Sequence, residues 1–151
     1  LPLIDFVLGA EAGIPKVIQF LNQWAAEFDQ VKSIQVVRYE TLRRDTAGAL
    51  GRVLAFMNET PTAEELAKCV EFASVDNMRK MEKDTFFRSV GDRMAPRDAS
   101  NPDSYKVRRA KVGGYRDYFT EDEVARIDAL VTDSLSPVYG YGDAPPDPRV
   151  M

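Results

Sequence analysis

The feature that most limits how this chain folds is one strand without an evident partner. Ser33-Ile-Gln-Val-Val-Arg-Tyr39 is rich in β-branched residues and bounded by polar ones, the composition of a strand that packs on at least one face. No other stretch reads as clearly, although Tyr139 to Tyr141 offers a short second strand. A strand open on both edges presents rows of unpaired N–H and C=O groups, so it demands pairing or cover. The sequence therefore predicts a mainly helical chain around one central strand written for a sheet that lies elsewhere. Tyr39 and Glu40 close that strand at its carboxyl edge, where open α/β sheets bind ligands.

Helices account for most of the remainder. Pro15 stands at a first helical position, followed by Val17, Ile18, Leu21, Trp24, Ala25 and Phe28 at spacings of three and four, an amphipathic helix with Trp24 as a core anchor. Asp45 is the expected N-cap of a helix carrying Leu50, Val53, Leu54 and Met57. Thr62 and Glu65 form a capping box for a helix through Leu66, Cys69, Val70 and Phe72. Free cysteine is usually buried, so Cys69 is expected in the core. A charged helix from Asn77 to Lys83 follows around Met78 and Met81. From Asp84 to Tyr105 the periodicity vanishes, and Gly91, Pro96, Asn101 and Pro102 predict a long loop over 84–105; loops of that length are usually functional or disordered. Thr120 and Glu123 cap a last helix with Val124, Ile127, Leu130 and Val131. Residues 142–151, rich in Pro and Asp, are expected as a disordered tail.

What the chain lacks bounds its chemistry. There is no histidine and one cysteine, which excludes Ser-His-Asp and Cys-His pairs and an imidazole base within these residues and leaves little for zinc; no metal site is expected. Neither a G-x-x-x-x-G-K-[ST] nor a G-x-G-x-x-G loop occurs. The lone Cys69 precludes an intramolecular disulfide and fits a reducing, cytoplasmic setting. No apolar run approaches the roughly 20 residues that span a bilayer, so no membrane partner is expected. A net charge of −4 with a single basic cluster is a poor footprint for nucleic acid.

That cluster is Lys106-Val-Arg-Arg-Ala-Lys-Val-Gly-Gly-Tyr-Arg-Asp-Tyr-Phe119. Five cations (Lys106, Arg108, Arg109, Lys111, Arg116) fall within eleven residues. Gly113-Gly114 permits positive φ and close approach to a ligand, and neighbouring arginines are fork-shaped donors suited to phosphate. Two readings stand: a loop for a phosphorylated ligand near a helix N-terminus, or a solvated charged surface.

The order of these segments resembles a known family. The succession strand-Tyr-Glu-x-Leu, helix, capped helix, Ser-x-Asp-x-Met, long loop, and then Arg108-Arg-Ala-Lys-Val-Gly-Gly-Tyr-Arg-Asp-Tyr-Phe-Thr120 looks like the C-terminal half of the cytosolic-type sulfotransferases, from about Phe6 to Tyr141. Their motif typically runs Arg-Lys-Gly-x-x-Gly-Asp-Trp-Lys-x-x-Phe-Thr. The resemblance implies an α/β, P-loop-like sulfotransferase fold, of which residues 1–151 are a C-terminal portion. It implies transfer of a sulfuryl group from 3′-phosphoadenosine 5′-phosphosulfate to a hydroxyl or amine of a small-molecule acceptor, leaving adenosine 3′,5′-bisphosphate, with no metal.

Position by position, the resemblance implies a cofactor site. Arg108, Arg109 and Ala110 match the Arg-Lys-Gly that grips the 3′-phosphate, with Lys106 and Val107 leading into it. Tyr39 matches the tyrosine that contacts the adenine. Ala73-Ser74-Val75 replaces the Thr-Ser-Phe that flanks it, so Ser74 and Val75 are expected there without the usual aromatic face. Tyr115 replaces a tryptophan and Gly114 an aspartate. Lys83, outside the motif, is expected to leave nucleotide binding alone. The family's phosphosulfate loop and catalytic histidine have no counterpart here, so no catalytic residue is expected in this chain. The orphan strand and Leu1 in place of an initiator Met favour a piece of a longer enzyme, supplying part of the nucleotide site and a wall of the acceptor pocket. Its strand edge would then pair with the missing half or with itself. The alternative is a non-catalytic nucleotide- or polyanion-binding module on the same scaffold.

Overall fold

The computed structural model describes residues 1–84, 86, 96–101 and 104–151. These fall into two compact units. The first combines Leu1–Thr41 with Tyr115–Met151, and the second is the continuous segment Leu42–Gly114.

In the first unit, α1 (Leu3–Leu8) and α2 (Ile14–Glu27) are joined through Gly13. A Cβ on Gly13 would lie 2.3 Å from the Val7 carbonyl oxygen and 2.6 Å from that of Phe6, so only glycine allows this close approach. Pro15 sits in the first turn of α2 as expected. The helix turns Ile18, Leu21, Ala25 and Phe28 inward. Trp24 is a correction: it falls on the other side, 46% exposed, edge-on to the also exposed Phe20. α7 (Glu121–Ser134) lies against α2. Asn22 links the two ends of the chain, donating to the Ser134 carbonyl at 2.8 Å and accepting from the Ser136 amide at 2.7 Å.

Phe28, Tyr139 and Val150 form the centre of this unit, with Leu21, Ile34, Val36, Leu135 and Val138 around them. The Phe28 and Tyr139 rings meet edge-to-face at 5.9 Å, a favoured aromatic geometry. The Tyr139 hydroxyl donates to the Leu21 carbonyl at 2.7 Å, so the buried ring leaves no polar atom stranded.

The expected central strand is reduced in the structure. Among the described residues there is no strand, and 33–39 carries one isolated parallel bridge, Val36 to Val150. Three backbone bonds make it: Val36 N–H to Arg149 O at 2.8 Å, Met151 N–H to Val36 O at 3.0 Å, and Arg38 N–H to Met151 O at 2.7 Å. The pairing does not extend backward, because the next amides on that side donate elsewhere: Arg149 N–H to the Asp147 carboxylate at 2.8 Å and Asp147 N–H to the Val138 carbonyl at 2.9 Å. Residues 142–151, expected as a disordered tail, thus supply the strand's partner, and Val150 is 5% exposed. Tyr139 to Tyr141 is not a strand either; Pro137–Tyr139 is a 3₁₀ turn closed by Gly140 at φ 67°. Tyr39 ends no strand but opens α3 (Tyr39–Arg44), which leads into the second unit.

There, α4 (Thr46–Phe56), α5 (Ala63–Phe72) and α6 (Val75–Lys83) follow one another, each packed on the next. Each start is capped: Asp45 accepts from the Gly48 amide at 2.9 Å, Thr62 and Glu65 close a reciprocal box, and Ser74 accepts from the Asn77 amide, as short polar residues do at N-caps. Among the described residues, the unit's buried side chains are Ala49, Met81 and the carboxylate-bearing Glu82. Cys69 is a further correction: α5 buries none of its residues and the thiol is exposed. Much of the expected long loop over 84–105 lies outside the described residues. Among those described, no helix is long and apolar enough to cross a membrane.

Candidate functional site

The site is built in the second unit from α6 and the segment after the long loop. Arg79, Glu82 and Lys83 stand three and four residues apart, on one side of α6. Glu82 is 4% exposed, and its two carboxylate oxygens accept the consecutive backbone amides of Lys106 at 2.6 Å and Val107 at 2.9 Å. Arg79 donates to the Arg108 carbonyl. Residues 106–110 belong to no helix or strand, so these bonds to side chains of α6 stand where secondary structure would otherwise hold the backbone.

A cavity of about 410 Å³ opens beside this segment, within the range of small-molecule sites. Among the described residues, Arg79, Lys83, Arg108 and Arg109 line it, with Ser100, Tyr105 and Val107 between them and no carboxylate. Four cations around one space give it a positive potential that attracts an anion. Arginine forks on a cavity wall match the oxygens of phosphate or sulfate. Downstream, Ala110 adopts φ 49° and Gly113 φ 68°. Ala110 therefore has the left-handed backbone that favours glycine, at the position where the resembled motif has glycine.

The expected site residues are distributed as follows. Arg108, Arg109 and Val107 meet at the cavity. Lys106 is exposed and tied to the site by its backbone amide. Ser74 and Val75 begin α6 outside the lining, and the Ser74 hydroxyl is engaged as a cap. Tyr39 belongs to the first unit, 45% exposed. Beside it, Glu40 accepts from the Tyr141 hydroxyl at 2.9 Å; burial first, then this carboxylate, pushes that phenol up to about 12. Sequence reasoning missed Arg79 and Glu82, and Lys83 is a correction, since it lines the same cavity as the motif arginines. The missed signal was helical: Glu82 lies four residues after Met78 and next to Met81, on the inward side of α6.

The turn after the glycines is locked separately, within the first unit. Tyr115 donates to Asp128 of α7, and Arg116 donates to the other oxygen of that carboxylate at 2.6 Å. The hydrogen bond from Tyr115, followed by Arg116, holds the Asp128 carboxyl below its ordinary range; burial, then Asp128, raises the Tyr115 phenol. The tyrosine that replaces the motif's tryptophan thus has its hydroxyl satisfied.

The site is thus a helix-braced loop beside a cavity whose described lining holds four cations. Residues 11–138 match the sulfotransferase domain family, and the chain belongs to it. It is 29% identical over 132 residues to cytosolic sulfotransferase 17 of Arabidopsis thaliana, an alignment covering 84% of this chain and 37% of the relative. It is likewise 29% identical to cytosolic sulfotransferase 16 of the same plant (86% and 39%) and 25% identical to flavonol 4′-sulfotransferase of Flaveria chlorifolia (87% and 41%). The chain thus spans about two fifths of the length of these relatives. No solved structure matches it.

Proposed function

We propose that the chain is the C-terminal portion of a cytosolic sulfotransferase that moves the sulfuryl group of 3′-phosphoadenosine 5′-phosphosulfate to a hydroxyl or amine of a small-molecule acceptor. The sulfur–oxygen bond to the 5′-phosphate breaks, a bond from sulfur to the acceptor forms, and the acceptor's proton passes to a base. Arg108 and Arg109 hold the 3′-phosphate, while Lys106, Val107 and Ala110 shape the loop that carries them. Tyr39, Ser74 and Val75 serve the adenine. Positive groups aimed at an anion before reaction need no rearrangement during it, which is how such clamps aid transfer. With no histidine in the sequence, the base lies outside these residues. The observation that carries this reading is the cavity with four cations and no carboxylate among its described wall residues. The missing histidine favours a second reading, a non-catalytic nucleotide-binding module on the same scaffold, and sulfuryl transfer by the intact protein separates the two.

Calorimetry on the intact protein tests the site. Adenosine 3′,5′-bisphosphate should bind at least tenfold more tightly than adenosine 5′-phosphate, since a charge-assisted contact contributes about 1.5–3 kcal/mol. Arg108→Ala should erase most of that preference. Lys68→Ala is the control, because Lys68 pairs with Glu64 on the surface of α5, outside the cavity lining. Salt should narrow the gap only in part. Equal affinity for the two nucleotides would reduce the cluster to a solvated surface.

A further inference from the structure

We propose that Glu82 is the positioning residue of the phosphate loop, acting on the nucleotide's 3′-phosphate through the backbone of residues 106–108 without touching it; this rests on the nucleotide reading above. A carboxylate buried to 4% exposure is costly unless its oxygens are hydrogen-bonded. Both are, and to consecutive amides, Lys106 at 2.6 Å and Val107 at 2.9 Å. Accepting two neighbouring N–H groups fixes the peptide plane between them, which a single bond would leave free to rotate. Arg79, one turn earlier on α6, takes the Arg108 carbonyl. The backbone is therefore held immediately before Arg108 sends its side chain to the cavity.

Glu82 also answers the electrostatic problem of the site. Arg79, Lys83, Arg108 and Arg109 share one cavity, and like charges brought this close raise the cost of holding a loop that has no ladder of its own. A negative charge beneath that loop offsets the repulsion. Because Glu82 is absent from the cavity lining, its charge does not meet the bound anion. It holds the loop in the empty state, so that ordering need not accompany binding.

The test is Glu82→Gln in the intact protein, read beside Arg108→Ala. Glutamine keeps the shape but sets an NH₂ against one of the two amides. Preference for adenosine 3′,5′-bisphosphate over adenosine 5′-phosphate should fall about tenfold, with affinity for adenosine 5′-phosphate retained. The amide proton resonances of Lys106 and Val107 should move upfield in the same variant. Glu82→Asp, which keeps the charge but draws it back, should fall between the two and supplies the measurement if glutamine prevents folding. A general structural role would instead weaken both nucleotides equally. That result, or an unchanged preference where Arg108→Ala still abolishes it, overturns the positioning role alone. If Arg108→Ala has no effect either, the nucleotide reading fails and the positioning role goes with it.

Discussion

The two units are held together by different means. In the first, the decisive contacts join residues more than a hundred positions apart: Tyr139 to Leu21, Asn22 to Ser134 and Ser136, Arg149 to Asp29, and Val36 to Val150. They converge on an aromatic centre. In the second, helices pack on their immediate successors, every start is capped locally, and the buried set includes Glu82, an ionisable residue. The first unit therefore takes its stability from burial, and the second gives part of its interior to holding a loop. A fold that carries a site commonly places it in the thinner region, where local structure is not fully committed to packing.

The sharpest way to break this comparison is in the aromatic centre. Phe28→Ala should lower unfolding free energy by about 3–5 kcal/mol, the range for a buried phenylalanine, as measured by urea denaturation. Met81→Ala in the second unit should cost only about 2 kcal/mol, the low end for a core methionine, because Met81 itself keeps some exposure and few of the described residues of that unit are buried. Equal costs would mean that the second unit depends on its core as heavily as the first.

Acid comes next. Asp147 accepts from the Arg149 backbone and guanidinium, and Arg149 lies over the Phe28 ring at 5.1 Å. Those bonds from Arg149, side chain first, hold the Asp147 carboxyl at about 2, against about 3.9 for an unperturbed aspartate. A carboxyl depressed on folding contributes fully above the unfolded value and loses that contribution as pH falls through the folded one. Thermal midpoints should therefore drop between about pH 4 and pH 2, and Asp147→Asn should flatten that part of the profile. An unchanged slope in the variant would remove this clamp from the account of the first unit.

The smallest effect belongs to the loop. Ala110 at φ 49° bears a left-handed strain of about 1–2 kcal/mol, offset in Ala110→Gly by glycine's greater freedom when unfolded. The net gain should be about 0.5–1 kcal/mol in a denaturation midpoint. A loss would mean that the methyl group packs usefully.

The same division governs what the sequence could tell. Asp45, Thr62 and Thr120 declared their helices because capping is decided within four residues, and Arg108 with Arg109 declared the loop because charge is visible in composition. The partner of Val36 was hidden in a proline-rich segment that reads as frayed, since nothing local distinguishes a paired tail from a loose one. Trp24 and Cys69 went the wrong way for a related reason: periodicity defines a stripe on a helix but not which neighbour arrives to cover it. Glu82 was hidden by its identity, because a glutamate among charged residues reads as solvated. Only its place beside Met81, facing inward, distinguishes it.

The division of the chain also has a consequence for its synthesis. The second unit is one uninterrupted segment, 42–114, whereas the first needs both 1–41 and 115–151. As the polypeptide leaves the ribosome, α4 to α6 can dock as soon as they emerge. α2 must wait, with Leu21, Ala25 and Phe28 uncovered, until Tyr139 and Val150 have been made. At about 5–20 residues per second, that delay lasts several seconds, and over that interval the apolar side of α2 is open to a chaperone.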